Sequence, residues 1–522
     1  MAPPSPVICA VIGRTRHKMI QIEIHEAAKR GAKMIELRLD FLKKAPDFKR
    51  LLANRPCPLA ATFRRPSDGG RWAWSEEYRQ MLLRQAIAAG FDWVDLETDV
   101  ADKIPRFGQV KRIVSYHDLD GVPHDLEDLH QRMCRQDADV VKIAVSPATT
   151  ADNLRVLKLI KDAKVPTVGL CMGDLGVCTR ILGAKLGTPF TYGAFNKERS
   201  FAPGLLSFYE LHKIYRFESI NADTQVFGVI GDPVGHSLSP LIHNRAFEAL
   251  GINAVYVPFR VPRGELETFL QQFETIPVRG YSVTIPHKEQ AAKLAAEQGP
   301  GVDAIGAANT LVHTVANWKA HNTDISAAMD SLQANLPVSE DGKPGAVSTR
   351  TVLILGAGGV ARAIAHGLKR EGAALTIANR TYDRAMALAE ELDCRAVDWE
   401  ARHNILCDTL INCTSVGMFP HMDESPIHSS YLKPGLVVFD AIYTPETTLL
   451  VREALERGCH VLTGVDMFVR QAAAQFQLFT GRDAPFELMT EVVRRALSPV
   501  NYAKVEQQEE AKKAEREDEA SE

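Results

Sequence analysis

Short apolar runs alternate with amphipathic stretches from residue 7 to residue 196. Runs rich in β-branched and aliphatic residues favour strands, and apolar residues recurring every three or four positions favour helices. The predicted strands are Val7–Gly13, Met34–Phe41, Leu59–Phe63, Trp93–Asp99, Arg112–His117, Val140–Val145, Pro166–Met172 and Phe190–Phe195. Most are followed by a predicted helix, as at Met19–Arg30, Glu76–Ala89 and Asn153–Lys161. This pattern predicts an α/β fold with an N-terminal (β/α)8 TIM barrel. The even strand count and the lack of a glycine-rich turn disfavour the alternative, an open doubly wound sheet.

A lysine, Lys142, interrupts the apolar run Val140–Val145. Burial disfavours the charged ammonium, which makes the free amine available as a nucleophile that forms Schiff bases with ketones. The alternative is an edge-strand lysine whose stem packs while its head reaches water. The run alone leaves both interpretations open.

The C-terminal ends of the other predicted strands are rich in charge, and this is where TIM barrels carry their chemistry. The polar residues at or after these ends are Glu36, Arg38, Arg64, Glu97, His117 and Arg180. Glu36 and Arg38 are two residues apart and therefore share a strand face. Burying so many polar groups without a ligand is costly. We therefore expect a pocket that neutralises a carboxylate and contains an amine and an imidazole.

These residues resemble the motifs of type I 3-dehydroquinate dehydratase. The matching segments are Ile35–Arg38, Thr62–Arg64, Ser115–Asp118, Val141–Ala144, Arg180 and Ala202–Gly204. The resemblance implies that Lys142 forms an imine with 3-dehydroquinate, that His117 removes a proton and assists loss of water, and that Arg180 holds the carboxylate. It also implies that Glu36, Arg38 and Arg64 bind hydroxyls and orient the ring.

Three positions depart from that family's usual pattern. Phe201 and Leu205 stand where Ser and Gln are usual, and Asp68 stands where Glu is usual. Two polar contacts with the substrate are therefore lost. Since Lys142 and His117 are intact, we expect weaker substrate binding rather than inactivity.

The second half begins after a predicted helix and short linker over Phe208–Ala222. A predicted strand, Val226–Ile230, leads into a loop whose Ser237 and Ser239 could offer hydroxyls to a small polar ligand. The loop could also serve only to cap the helix that starts at Ser239-Pro240. Further on, Lys288 and Asp324 could form an acid/base pair.

A glycine-rich turn then follows the predicted strand Thr351–Leu355. The turn contains Gly356, Ala357, Gly358, Gly359 and Val360, and it precedes a predicted helix, Val360–Lys369, and a second strand, Leu375–Ala378. This context is typical of a dinucleotide site, where the helix N-terminus receives the pyrophosphate.

The residues after the second strand favour NADP over NAD. They are Asn379, Arg380, Thr381 and, one turn later, Arg384. Cations there could bind a 2′-phosphate, whereas an NAD enzyme would place an acidic residue on the ribose. The alternative is that Arg380 merely caps a loop.

Residues 224 to 498 resemble shikimate dehydrogenase. The matching segments are Gly231–Pro240, Gly280–Lys288, Ala308–Thr310, Asn322–Asp324, the glycine turn, Asn412–Met418, Asp440–Pro445 and Gly464–Gln471. The resemblance implies that NADPH reduces 3-dehydroshikimate with Lys288 and Asp324 as the catalytic pair, and that Gly464 lies at the cofactor. Ser237 and Ser239 would bind the carboxylate, and Thr284, Asn309, Tyr443 and Gln471 would bind hydroxyls or carboxylate. Ser282 and Ala327 depart from residues common in that family (Asn and Gly), and we expect them to tune affinity.

The predicted domains are a barrel (1–220), a substrate domain (224–325, completed by 466–498), a Rossmann-like NADP domain (326–465) and a charged, disordered tail (499–522). A net charge of −4 suggests no nucleic-acid or membrane partner. Nine cysteines form no CxxC pair, so we expect no metal site and a cytoplasmic location. The expected partners are small-molecule substrates, and the oligomeric state stays open.

The residues themselves predict a polar or Schiff-base barrel site and an NADP dehydrogenase. Together the two resemblances imply a bifunctional shikimate-pathway enzyme, a lyase fused to an oxidoreductase. Two rival hypotheses remain: a dehydrogenase half that prefers quinate, and a non-catalytic quinate-sensing regulatory protein. The intact lysines and their partners weigh against the second.

Overall fold

The computed structural model describes residues 5–196, 201–315, 317–336, 345–418 and 421–497. The chain divides into two compact units. One comprises Met1–Pro240, Gly251–Arg279 and Thr284–Pro286, and the other comprises Leu241–Leu250, Gly280–Val283 and His287–Glu522. The charged tail predicted to be disordered lies outside the described residues. The domain boundaries expected from the sequence stay predictions.

An eight-stranded parallel sheet forms the first half and confirms the predicted barrel. Its strands are β1 (Val7–Ile12), β2 (Met34–Arg38), β3 (Leu59–Thr62), β4 (Trp93–Glu97), β5 (Lys111–Asp118), β6 (Val140–Val145), β7 (Thr167–Cys171) and β8 (Phe190–Ala194). Their order is β7-β6-β5-β4-β3-β2-β1-β8, so the barrel is nearly closed.

Helices follow most of these strands. They are α1 (His17–Lys29), α2 (Phe48–Leu52), α3 (Glu76–Ala89), α4 (Thr98–Ala101), α5 (Leu126–Cys134), α6 (Thr150–Asp162) and α7 (Gly173–Leu182). Two predicted strands are shorter than expected, because the chain turns into a 3-10 helix at Leu39–Phe41 and into α4 at Thr98. Periodicity marks the apolar run but not the point at which its backbone turns.

The residues that face the barrel interior follow from the two-residue period of each strand. On β6, Val140 and Ala144 belong to the interior apolar cluster, together with Ile113 of β5 and Phe190 of β8. Lys142 lies between Val140 and Ala144 on the same face. The lysine therefore points into the barrel rather than to an edge.

A six-stranded sheet follows, with order β10-β9-β11-β13-β14-β12. Its strands are β9 (Gln225–Gly231), β10 (Ala254–Arg260), β11 (Val278–Val283), β12 (Glu297–Gln298), β13 (Thr310–His313) and β14 (Trp318–His321). The helices of this region are α8 (Ser239–Ala249), α9 (Leu266–Gln272), α10 (Lys288–Leu294), α11 (Val302–Ile305) and α12 (Asp324–Asn335).

The single helix and linker predicted over Phe208–Ala222 are replaced by a π-helix, Glu210–Ile214, and a 3-10 helix, Phe217–Ser219. Within the first compact unit, α7 packs against β10 and α6 packs against α9. The Glu265 carboxylate also accepts a hydrogen bond from the Thr150 hydroxyl at the start of α6, at 3.2 Å. The barrel is thus packed directly against β10 and α9.

A second six-stranded sheet is parallel throughout and has the doubly wound order β17-β16-β15-β18-β19-β20. Its strands are β15 (Thr351–Leu355), β16 (Ala374–Asn379), β17 (Arg395–Asp398), β18 (Thr409–Asn412), β19 (Val437–Asp440) and β20 (His460–Thr463). The helices are α13 (Gly359–Arg370), α14 (Tyr382–Glu391), α15 (Leu449–Glu456), α16 (Gly464–Thr480) and α17 (Phe486–Leu497). In the described ranges, no helix has the length and apolar content that a membrane span requires.

One histidine of α8 is completely buried among aromatic rings. His243 is 0% exposed, and its ring centroid lies 5.9 Å from that of Phe479 and 6.3 Å from that of Phe476. Burial lowers the pKa of His243 to about 3. The folded protein therefore keeps this imidazole neutral at mildly acidic pH.

This burial predicts a loss of stability in acid. Below pH ~6.5 the unfolded chain protonates His243 and the folded chain does not, so the free energy of unfolding should fall by roughly 1.4 kcal/mol per pH unit until the folded pKa is reached. Urea unfolding between pH 7 and 4 should show wild type losing stability relative to His243→Gln. His25→Gln changes an exposed histidine, and its free energy of unfolding should depend on pH as that of wild type does. The same pH dependence in all three proteins would contradict the prediction.

Candidate functional site

The amine of Lys142 lies among oppositely charged groups inside the barrel. Lys142 is 6% exposed, and its Nζ is 3.2 Å from Asp95 Oδ2 and 3.7 Å from Glu36 Oε1. The same nitrogen lies 4.1 Å from the ring centroid of Tyr192. These contacts favour the interior position expected for a nucleophilic amine over the edge-strand alternative.

Behind the lysine, Arg64 joins two buried carboxylates. Its Nη2 lies 2.6 Å from Asp95 Oδ2, and its Nη1 lies 2.9 Å from Glu97 Oε1. The Ser115 hydroxyl donates to Asp95 Oδ1 at 2.5 Å. Burial by itself would raise the pKa of Asp95, but the charges of Arg64 and Lys142 outweigh it and hold that pKa well below its usual range. Asp95 is therefore ionised at neutral pH.

His117 is the base candidate of this site. Burial, followed by the charges of Arg64 and Lys142, lowers the pKa of His117 well below its usual value. The imidazole is therefore neutral at neutral pH and able to accept a proton. Among the described residues, its Nδ1 has no hydrogen-bond partner.

Arg180 on α7 differs from the other arginines of the pocket. Arg38 forms an ion pair with Asp40 at 2.9 Å, and Arg64 forms ion pairs with Asp95 and Glu97. Arg180, in contrast, has no carboxylate within ion-pair distance in the described part of the chain. It is 3% exposed, and burial lowers its pKa to about 10. It remains a buried cation at neutral pH, which suits a ligand carboxylate.

A cavity of about 300 Å³ collects these groups at the C-terminal ends of the strands. All six barrel residues predicted as catalytic or substrate-binding line it, namely Glu36, Arg38, Arg64, His117, Lys142 and Arg180. The three departures from the family pattern, Asp68, Phe201 and Leu205, line it as well. The Phe201 ring lies 5.3 Å from that of Phe41, and the Asp68 carboxylate accepts a hydrogen bond from Arg65 Nε at 2.7 Å.

Sequence reasoning missed Asp95 and Tyr192. Asp95 lies two residues before Glu97 on β4 and so shares its face, which was the signal available. Tyr192 lay within a predicted strand, but nothing in its own run distinguishes an inward tyrosine from an ordinary core residue.

The second compact unit contains the other predicted amine. Lys288 begins α10 and Asp324 begins α12, and Lys288 Nζ lies 2.6 Å from Asp324 Oδ2. The side-chain amide of Asn309 donates to the other carboxylate oxygen, Oδ1, at 2.9 Å. A carboxylate at a helix N-terminus is also stabilised by the helix dipole. The pair predicted from residues 36 positions apart is therefore formed.

Two further predicted residues of the same unit, Gln471 and Tyr443, contact their neighbours. The Thr323 hydroxyl donates to the Gln471 carbonyl at 3.1 Å, and the Tyr443 ring stacks on Phe468 with centroids 4.7 Å apart. Sequence analysis did not single out Gln475. Its side-chain amide donates to the Asn309 carbonyl and to the Thr310 hydroxyl, both at 3.0 Å, and so holds the start of β13.

Ser237, Ser239 and Thr284 lie in the first compact unit. The Ser237 hydroxyl accepts a hydrogen bond from the Ser239 backbone N–H at 3.2 Å, and Ser239 begins α8. The Thr284 backbone N–H donates to the Ile230 carbonyl at 2.9 Å. The capping role of this loop is therefore present, and its role in ligand binding stays a prediction.

The glycine turn after β15 has the shape of a nucleotide cradle. Gly356 adopts a left-handed backbone with φ of +109°, and a Cβ there would lie 3.0 Å from the Cys413 carbonyl group. A Cβ at Gly358 or Gly359 would meet nothing within 4 Å, so the space before the N-terminus of α13 is open. Backbone N–H groups at such a terminus bind phosphates.

Two arginines follow the end of β16, at the place where an NAD-binding site would have an acidic residue. Arg380 and Arg384 are exposed, and neither forms an ion pair with a described residue. The Asn379 amide donates to the Thr381 carbonyl at 2.8 Å, which fixes this turn. At Gly464, a Cβ would lie 2.5 Å from the Ala441 carbonyl oxygen, so only glycine permits this approach. These residues fit a phosphorylated dinucleotide.

Comparison with known proteins agrees with both halves. Residues 8–222 match the family model of type I 3-dehydroquinase. Residues 229–311 match the shikimate dehydrogenase substrate binding domain, residues 341–417 match shikimate / quinate 5-dehydrogenase, and residues 464–494 match the shikimate 5′-dehydrogenase C-terminal domain. A chloroplastic bifunctional 3-dehydroquinate dehydratase/shikimate dehydrogenase of Arabidopsis thaliana is 39% identical over 94% of this chain and 85% of its own length. The chain belongs to this bifunctional family.

Single-function relatives of the family cover the second half. A shikimate dehydrogenase (NADP+) of Shouchella clausii is 38% identical and aligns over its full length with 53% of this chain. A solved shikimate dehydrogenase in complex with NADP+ is 33% identical, with a TM-score of 0.50, and aligns over 53% of this chain and 97% of its own. The predicted two-part α/β dehydrogenase fold is confirmed.

The buried charges of the barrel predict a stability cost for removing the shared carboxylate. Asp95→Ala leaves Arg64 and Lys142 without it, and the free energy of unfolding should fall by about 3–5 kcal/mol. Thr62→Val removes one buried hydrogen bond to Glu36 and should cost only about 1 kcal/mol. Denaturant unfolding followed by tryptophan fluorescence measures both, and equal losses would refute the central place given to Asp95.

Proposed function

We propose that this protein dehydrates 3-dehydroquinate in the barrel and reduces the product, 3-dehydroshikimate, to shikimate in its second half. The observation that carries the first activity is one small cavity lined by a buried amine, a neutral imidazole and an arginine with no ionic partner among the residues that the structure describes. The membership of the chain in the bifunctional family supports the pairing of the two activities.

Lys142 acts first as the nucleophile. Its Nζ attacks the C3 carbonyl carbon of 3-dehydroquinate, the carbonyl oxygen leaves as water, and a protonated imine results. Arg180 holds the substrate carboxylate during this step, and Glu36, Arg38 and Arg64 bind hydroxyls and orient the ring.

The imine then draws electrons from the C2–H bond. His117 accepts the C2 proton because its imidazole is neutral, and the electron pair moves toward the imine nitrogen. The C1 hydroxyl leaves as water with a proton from His117, and hydrolysis of the imine releases 3-dehydroshikimate and the free amine.

In the second half, Lys288 acts on the C3 ketone of 3-dehydroshikimate. NADPH bound at the glycine turn supplies the hydride. Lys288 stabilises and protonates the developing alkoxide, and Asp324 orients the ammonium. Ser237 and Ser239 bind the carboxylate, and hydroxyl or carboxylate contacts come from a further set: Thr284, Asn309, Tyr443 and Gln471.

NADP is the cofactor that the cradle suits. The backbone of the glycine turn would hold the pyrophosphate, and Arg380 and Arg384 would hold the 2′-phosphate. The full set of cofactor residues is Gly356, Ala357, Gly358, Gly359, Val360, Asn379, Arg380, Thr381, Arg384 and Gly464. A relative is named for NADP+, and a solved neighbour carries it.

The expected partners are small molecules, with neither nucleic acid nor membrane, and the expected location is cytoplasmic. The net charge of −4 supports the expectation about nucleic acid and membranes, and the free cysteines support the expected location. The relative from Arabidopsis thaliana is named as chloroplastic. Fractionation of the source cells tests the location directly.

Covalent trapping tests the dehydratase. Borohydride added with 3-dehydroquinate should leave a reduced adduct on the peptide that contains Lys142, because the imine is the reducible species. Lys142→Met should lose both the adduct and dehydration. The control is Lys111→Met, at an exposed lysine on the N-terminal end of β5, away from the cavity. It should retain both the adduct and dehydration. No adduct in the wild type would refute the imine step.

Loss of Lys288 tests the dehydrogenase. Lys288→Ala should lower kcat for reduction about 100- to 10,000-fold, with little change in NADPH affinity and full dehydratase activity. Lys293→Ala, an exposed site on the same helix, should behave as wild type. Rates with NADPH and NADH, and with shikimate and quinate in the reverse direction, identify the preferred cofactor and substrate. Near-normal reduction by Lys288→Ala would exclude its assigned role.

A further inference from the structure

An arginine on the outer helix α3 is completely buried and is not part of the cavity lining. Arg79 is 0% exposed. Its Nη1 lies 2.6 Å from Glu97 Oε2 and donates to the Phe63 carbonyl at 3.0 Å, and its Nε lies 2.7 Å from Glu76 Oε2. Burying a guanidinium is costly unless its charge is compensated. Arg79 is thus committed to Glu97 and Glu76.

Glu97 connects Arg79 to the amine of the cavity. Its second oxygen pairs with Arg64 at 2.9 Å, Arg64 pairs with Asp95 at 2.6 Å, and Asp95 lies 3.2 Å from the Lys142 Nζ. Cations and carboxylates therefore alternate without a gap from the outer helix to the nucleophile. Each member fixes the position of the next.

Glu97 depends on both of its cations. Burial raises the pKa of Glu97 despite the charges of Arg64 and Arg79, which act in the opposite direction. Without Arg79, Glu97 would hold a proton more readily and would cease to anchor Arg64. Arg64 would then move relative to Asp95, and Asp95 would pair more closely with the Lys142 ammonium.

We propose that Arg79 is a positioning residue for imine formation: through Glu97 it fixes Arg64 against Asp95 and so limits the hold of Asp95 on the Lys142 ammonium. This inference rests on the proposed imine step. Lys142 also faces Glu36 of β2 and Tyr192 of β8, and the same cavity contains the titratable or charged groups of Arg38, Asp68, His117 and Arg180. The substitutions below leave those groups unchanged.

The test is the rate of borohydride trapping with 3-dehydroquinate as a function of pH. Arg79→Met should slow trapping at pH 7 about 10- to 100-fold. In the dehydration of 3-dehydroquinate, the same substitution should change KM much less than kcat. The pH of half-maximal trapping should move upward, because a more tightly paired ammonium loses its proton at higher pH. Arg79→Lys keeps the charge and should recover most of the rate.

Arg112 provides a matched control for the loss of a buried arginine. It is 2% exposed and donates to the carbonyls of Ile104 and Ala101 at 2.8 and 2.7 Å. Arg112→Met should lose stability without moving the pH profile. A purely structural role for Arg79 predicts the same behaviour for both variants.

The outcomes separate the two hypotheses. Absence of trapping in the wild type refutes the proposed function itself. Trapping in the wild type together with an unshifted profile in folded Arg79→Met refutes the role of Arg79 alone. If Arg79→Met does not fold, the double variant Arg79→Met/Glu97→Gln removes both charges and should still show the upward shift, and a wild-type profile there would overturn the inference.

Discussion

The barrel can hold an amine at its centre only because carboxylates and guanidinium groups alternate around it. A buried ammonium without a counter-charge would be neutral or would destabilise the fold. Asp95 lies 3.2 Å from Lys142 and 2.6 Å from Arg64, so one carboxylate serves two cations. His117 stays neutral beside them, because burial first and the charges of Arg64 and Lys142 second lower its pKa.

The two amines of this protein are placed for different chemistry. Lys142 lies in the middle of a strand with a side chain that is 7% exposed, whereas Lys288 lies at a helix start and is 21% exposed. The barrel thus shields the first amine from water more completely than the second amine is shielded. Asp324, whose Oδ2 lies 2.6 Å from the Lys288 Nζ, fixes the position of the second amine.

The lining of the barrel cavity is more apolar than is usual in the type I 3-dehydroquinase family. Phe201 and Leu205 line the cavity where hydroxyl and amide side chains are usual, and Phe201 packs on Phe41 and lies within 5.9 Å of the Arg38 guanidinium carbon. Aromatic contact of this kind can restrain Arg38. Contacts within the protein thus stand where polar side chains are usual.

The sequence by itself determined the eight strands, the lysine Lys142 within an apolar run, the glycine turn and the cations after β16, because each is encoded in a short stretch with its own period or turn residues. Gly356, for example, marks a left-handed position that few other residues tolerate. Only the tertiary structure decided that Asp95, Tyr192 and Arg79 surround or support the amine. Strand period reveals which residues share a face, but which residues of separate strands lie at one height depends on register and barrel closure, and neither is written in any single run.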